Sequence, residues 1–196
     1  MQAQTFPKTL TGEYYLNGIP ETAAGFRLDA DSSFQFFFSQ GALDRFGHGN
    51  WQVKGKRLVL NSGPAPAHDY KLIESRKEPG DHVTIRIVDN NEVLIRYVYV
   101  ILNGGNDGAT EEMTDKNGYV RFPGQGVDSI ELLFQFCPEK TSRFHISQKQ
   151  HNYFEFRFEP TIMEIFFKDF TLEIHEDGLA GANPVLQGTE FMYLKN

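Results

Sequence analysis

The 196-residue chain has a single cysteine, Cys137, so no disulfide can form within it and no cysteine pair can hold a metal. That thiol closes the apolar phrase "LLFQFCPEK" and reads as buried and inert. Long apolar runs are missing as well: no stretch reaches 18 residues, which excludes a membrane-spanning helix. Positive charge is scarce. Nineteen Lys and Arg stand against 26 Asp and Glu, a net charge of −7, and a field of that sign repels a phosphate backbone. The densest basic cluster, Lys54, Lys56 and Arg57, flanks Gly55 and reads as a solvated hairpin tip, so nucleic acid is not expected as a partner. No window of a dozen residues carries a 3.6-residue apolar period, which removes amphipathic helices. The opening "MQAQTFPKTL" has neither a charged n-region nor an apolar h-region. Two compartments remain, the cytoplasm or an exported site whose signal has been removed. The "AQ" pair favours export, and a periplasmic, cell-surface or secreted location is expected.

What the chain does have is phenylalanine, 18 copies, a residue that suits half-buried pleated surfaces. Two-residue alternation runs almost throughout. Phe34, Phe36 and Phe38 share one face of "FQFFF", and Phe37 lies on the other. In "FEFRFE" Phe154, Phe156 and Phe158 oppose Glu155, Arg157 and Glu159. Val83, Ile85 and Ile87 alternate with Thr84, Arg86 and Val88, and Ile130, Leu132, Phe134 and Phe136 line up in "IELLFQF". "VLIRYVYVIL", Val93 to Leu102, is apolar on both faces and predicts a central, doubly covered strand. The fold class expected is all-β, with an antiparallel meander or half-barrel sheet and a β-sandwich.

Turn chemistry divides the chain. "DADSS" precedes the Phe strand, and "GNWQV", "KGK" and "RLVLNS" predict a hairpin around Gly55. "SGPAPAHDY" and "RKEPGDH" are the strongest breaks, with "DYKLIES" between them as a connecting strand. After Pro160 the style of the first part returns. "IMEIFF" reads as a strand, "KD" as a tight turn, then come a second strand, an "EDG" turn and the closing strand "EFMYLK".

From His82 to about Pro160, "VTIRIVDNNEVLIRYVYVILNG", "TDKNGYVRFPG" and "VDSIELLFQF" resemble the carboxypeptidase regulatory-like, or transthyretin-like, β-sandwich. Asp89, Asn90, Thr114, Asp115, Gly118, Phe122 and Ile130 carry that resemblance. It implies a sandwich over residues 82–160. The two ends of the chain resemble a separate, lipocalin-like β-meander, residues 9–75 completed by 161–196, into which that sandwich is inserted. A plain sequential two-domain layout is the alternative. The sandwich resemblance implies little about activity, because such modules mostly decorate other proteins. Its hydroxyisourate hydrolase branch uses a C-terminal Tyr-Arg-Gly-Ser tail. This chain ends "MYLKN", and His82 and Arg86 without that tail make no site.

Candidate chemistry is sparse. The six histidines, His48, His68, His82, His145, His151 and His175, show no HxH or HExxH spacing. No G-x-S-x-G elbow or phosphate-binding loop is present, and "NGGNDG" leads into "ATEEMTD" rather than a helix N-terminus. Carboxylates are plentiful, but a glycosidase pair needs two of them across a cleft. Asp107, Asp115 and Asn117 carry the oxygen ligands that calcium prefers, although "TDKNG" has the composition of a turn. The remaining candidates are aromatic. Phe37, with Phe46, His48 and Trp51 from "GALDRFGHGNW", could stack on sugar rings or hold an apolar tail. The expected role is a non-catalytic binding or interaction module of bacterial cell-envelope type, with no cofactor, contacting a glycan or another envelope protein. The alternative is a lipocalin-like carrier of a small hydrophobic ligand.

Overall fold

A computed structural model describes residues 10–104, 108–124 and 126–196, and almost all of its regular structure is strand. Five strands open the chain: β1 (Gly12–Leu16), β2 (Thr22–Leu28), β3 (Ser33–Gln40), β4 (Leu43–Lys54) and β5 (Arg57–Asn61). They form an antiparallel meander. The β4–β5 hairpin turns at Gly55, whose φ of +64° suits a residue without a Cβ. Next come β6 (Tyr70–Arg76), β7 (His82–Val88), β8 (Val98–Asn103), β9 (Ala109–Met113), β10 (Tyr119–Pro123), β11 (Ser129–Phe134), β12 (Thr141–His145) and β13 (Tyr153–Phe158). The chain finishes with β14 (Phe170–Ile174), β15 (Gly178–Gly181) and β16 (Phe191–Lys195).

The strands fall into two compact units, Met1–Ala65 with Met163–Asn196, and Pro66–Ile162. In the first, eight antiparallel strands close into a barrel in the order β1-β16-β15-β14-β5-β4-β3-β2. Closure is complete, where the sequence suggested a meander or half-barrel. Closure gives each of the eight strands a neighbour on both sides. Alternation turns Tyr14, Phe26, Phe34, Phe36, Phe38 and Tyr193 inward, all essentially without solvent contact. Phe167 enters the same core from the segment before β14, with ring centroids 5.1 Å from Phe34 and 5.6 Å from Phe36. An eight-stranded barrel is just wide enough to be filled by side chains or to hold one small ligand. Here rings fill it.

The second unit has two four-stranded sheets, β10-β7-β13-β6 and β12-β11-β8-β9. Phe156 and Phe158 of β13 meet Phe144 of β12 and Phe134 of β11, with centroids 4.8 and 5.0 Å apart. The inward faces of the two sheets therefore share a core. Among the described strands of this unit all pairings are antiparallel except β7 with β13. β6, the "DYKLIES" strand, joins this unit by pairing with β13 and is thus more than a connector.

Two strand assignments need correction. Val93 to Leu102 is not one strand: Leu94–Arg96 forms a 3₁₀ turn and β8 starts only at Val98. The Thr114 hydroxyl explains the break. It donates to the Ile95 carbonyl at 2.7 Å and accepts the Val98 N–H at 3.2 Å, so a side chain satisfies the backbone there instead of a neighbouring strand. "IMEIFF" is not a regular strand either. It touches β4 through an isolated parallel bridge between Glu164 and Phe46, and buries Glu164 and Phe167 rather than one alternating set.

No helix among the described residues is long and apolar enough to cross a membrane.

Candidate functional site

β3 and β4 carry the four residues singled out in the sequence, and strand geometry divides them. Inward positions on β4 include Arg45 and Gly47, so Phe46 and His48 point outward. Trp51 has the inward parity. It packs against the barrel core and donates its indole N–H to the Asp29 carbonyl at 3.1 Å. Phe37 faces outward and sits directly opposite Phe46, while Gln35 sits opposite His48. Phe37, Phe46 and His48 therefore belong to one surface and Trp51 does not.

That surface is wider than the sequence suggested. Pairing register places Leu194 opposite Tyr15, Tyr15 opposite Gly25, Gly25 opposite Phe37, and Phe37 opposite Phe46. One row thus crosses five neighbouring strands on the outside of the barrel. Its four side chains are all solvent-facing: Leu194 is 39% exposed, Tyr15 42%, Phe37 38% and Phe46 44%. Gly25 is small for a reason visible in the row. A Cβ there would press into the Tyr14 carbonyl oxygen and come within 2.9 Å of the Phe37 ring, which leans across the gap to meet Tyr15 edge-on at 5.8 Å. The Tyr15 hydroxyl donates to Glu13 at 2.6 Å, and that carboxylate holds the phenol pKa above its ordinary value.

A second row runs alongside the first, two residues along each strand, in the register Glu13–Arg27–Gln35–His48. Every member is exposed and polar. At their β3–β4 end the two rows reach an open pocket of about 470 Å³ whose lining includes Ser33, Gln35, Phe46 and His48. Gly47 and Gly49 form part of its wall. Phe167 and Ile165 crowd the place where a Gly47 side chain would be, and the Asn61 carbonyl, with the Phe34 ring behind it, does the same at Gly49. Neither glycine could carry a side chain without displacing the core.

His48 is held in place. Its Nδ1 lies 3.0 Å from an oxygen of Glu164, with the imidazole 67% exposed and the carboxyl 5%. A carboxylate partner keeps the proton on Nδ1 and leaves Nε2 available on the solvent side. Glu164 comes from "IMEIFF", and tertiary contacts anchor that segment to β4. The Ile165 N–H donates to the Phe46 carbonyl at 2.7 Å, and Arg45 Nε donates to the Met163 carbonyl at 3.0 Å. Ser62 donates to the His48 carbonyl at 2.6 Å and accepts the Phe167 N–H at 3.0 Å. The Gln35 amide beside His48 makes no hydrogen bond among the described residues and is free for a ligand. Nothing local in the sequence connects Glu164 to His48, more than a hundred positions apart.

Of the calcium candidates, Asp107 lies outside the described residues. Asp115 serves a turn: one carboxyl oxygen accepts the N–H groups of Asn117 and Tyr119 at 2.8 and 2.9 Å, and Gly118 takes a φ of +78°. Among the described residues no three His, Cys, Asp or Glu side chains gather as a metal site. The Cys137 thiol is buried and donates to the Ile162 carbonyl at 3.2 Å. A scan against protein-family models finds no match, and a comparison with the curated proteins finds none either.

Proposed function

We propose that this chain is a non-catalytic binding module of the bacterial cell envelope whose barrel takes a glycan on its outer face. The observation that carries the reading is the placement of Phe46 beside Gln35 and His48 at one open pocket. A sugar ring offers an apolar C–H face and a rim of hydroxyls. Phe46 answers the first by stacking, and the free Gln35 amide with His48 Nε2 answers the second. A pocket of this size is within the range of small-ligand sites. The inserted unit, with its two four-stranded sheets and the Asp115–Gly118 turn, is in keeping with a transthyretin-like module that decorates the barrel. The carrier alternative draws less support, because buried rings occupy the barrel interior that an apolar ligand would need.

A thermal-shift and titration panel tests this, using soluble neutral oligosaccharides, acidic oligosaccharides and long-chain fatty acids. A ligand at 100 times its Kd adds about 2.7 kcal/mol, which raises Tm by roughly 5–10 °C for a chain of this length. The expected result is a shift with neutral oligosaccharides that Phe46→Ala and His48→Ala abolish and Trp51→Phe preserves. A shift with fatty acids alone would move the assignment to the carrier. Binding of sugar unaffected by Phe46→Ala would place the ligand elsewhere.

A further inference from the structure

Building on the glycan reading, we infer that the pocket is one end of an extended site, and that the ligand is a linear chain of several sugar units lying across the strands. The apolar row runs from Phe46 through Phe37 and Tyr15 to Leu194 without leaving hydrogen-bonded register. Four inter-strand steps of about 4.8 Å give it an arc of roughly 19 Å around the outside of the closed barrel, far more than one sugar ring covers, so a chain that follows it bends around the wall. The polar row of His48, Gln35, Arg27 and Glu13 runs beside it on β4, β3, β2 and β1. An apolar track with a parallel line of hydrogen-bonding groups matches a polysaccharide chain along its length, because each unit repeats the same pairing of C–H face and hydroxyl rim.

Two further features narrow the ligand. Tyr15 and Phe37 are tilted by 64° to one another, so the row is not a single plane. It suits a chain whose successive units turn relative to each other, and it does not suit a flat crystalline sugar surface or one planar aromatic ligand. The track is also open at the surface, as exposure of all four apolar side chains shows, so it can grip the interior of a chain and needs no chain end. A net charge of −7 opposes acidic polysaccharides, and the ligand inferred is a neutral one.

The test is affinity against chain length, measured by titration calorimetry with β-1,4-linked N-acetylglucosamine and β-1,4-linked glucose from the disaccharide to the hexasaccharide. For at least one series the hexasaccharide is expected to bind roughly tenfold more tightly than the disaccharide, the gain that contacts with further apolar side chains would supply. Tyr15→Ala and Leu194→Ala should remove most of that gain and leave the disaccharide unchanged, whereas Phe46→Ala weakens both. Thermal unfolding of each variant checks that the barrel is intact. A hexasaccharide that binds no better than the disaccharide, or equally well to the Tyr15→Ala and Leu194→Ala proteins, overturns the extended site while the pocket stands. Absence of binding by every chain in both series and in the wider panel removes both.

Discussion

At the scale of single residues, the outer face depends on what is small as much as on what is aromatic. Gly25 leaves room for Phe37 to cross toward Tyr15. Gly25→Ala is expected to cost about 1–3 kcal/mol, the usual cost of overpacking, because the new methyl meets a backbone oxygen that cannot swing aside. Urea unfolding reads this directly. Tyr70 is the reverse case: its hydroxyl is buried with no hydrogen-bond partner among the described residues, and burial pushes its pKa well up. Tyr70→Phe removes an unsatisfied polar atom and should leave stability unchanged or raise it by up to about 1 kcal/mol; a clear loss would show that the hydroxyl has a partner such as ordered water. The opposite facing of Phe37 and Phe34 was legible in the alternation of "FQFFF". The inward parity of Trp51 was not separated from Phe46 and His48, because closeness in sequence was read as closeness on a surface.

The element that decides the site is the irregular segment between the second unit and β14. "IMEIFF" alternates poorly, and reading it as a strand missed what it does. It places Glu164 under His48 and Phe167 in the barrel core. Phe167 contacts Phe26, Phe34, Phe36 and Phe170, so Phe167→Ala is expected to cost about 3–5 kcal/mol and to loosen the anchorage of His48. Denaturant unfolding gives the first effect. The second would appear as a chemical-shift change at His48 in the folded variant, and an unchanged His48 signal would mean that Glu164 holds the imidazole without help from the core. β15 escaped notice for a simpler reason: "GLAG" has almost no side chains to alternate. The long reading of Val93–Leu102 failed because composition cannot show that the Thr114 hydroxyl will interrupt the ladder sixteen residues upstream.

For the molecule as a whole, buried tyrosines set the response to alkali. Burial raises the pKa of Tyr14, Tyr70 and Tyr193 above the ordinary value of 10.0. Below pH 10 these phenols are neutral in both states and their contribution to stability is complete. As pH rises through 10 the unfolded chain loses these protons first, so it holds fewer than the folded chain and stability falls. Urea midpoints should be flat with respect to these groups from pH 7 to about 9 and drop above 10. Tyr193→Phe, which also loses the hydroxyl's bond to the Ala182 carbonyl at 3.1 Å, should be about 1 kcal/mol less stable at neutral pH and show a shallower alkaline drop. An unchanged alkaline slope would remove Tyr193 from this account. Among the described residues the barrel core draws on those before Ser62 and after Glu164. Replacing 66–162 with a short Gly/Ser linker should therefore leave a folded barrel, read by circular dichroism and a cooperative thermal transition, and a chain without such a transition would make the barrel dependent on its insert. The sequence by itself determined strand character, the facing of most side chains and the turn at Asp115, because alternation and turn dihedrals follow from local backbone geometry. Only the tertiary structure decided that eight strands close into a barrel, that four apolar side chains align in one row, and that Glu164 lies against His48. Those facts depend on pairing register between segments distant in the chain, and register is set by hydrogen bonds and core packing that no single stretch contains.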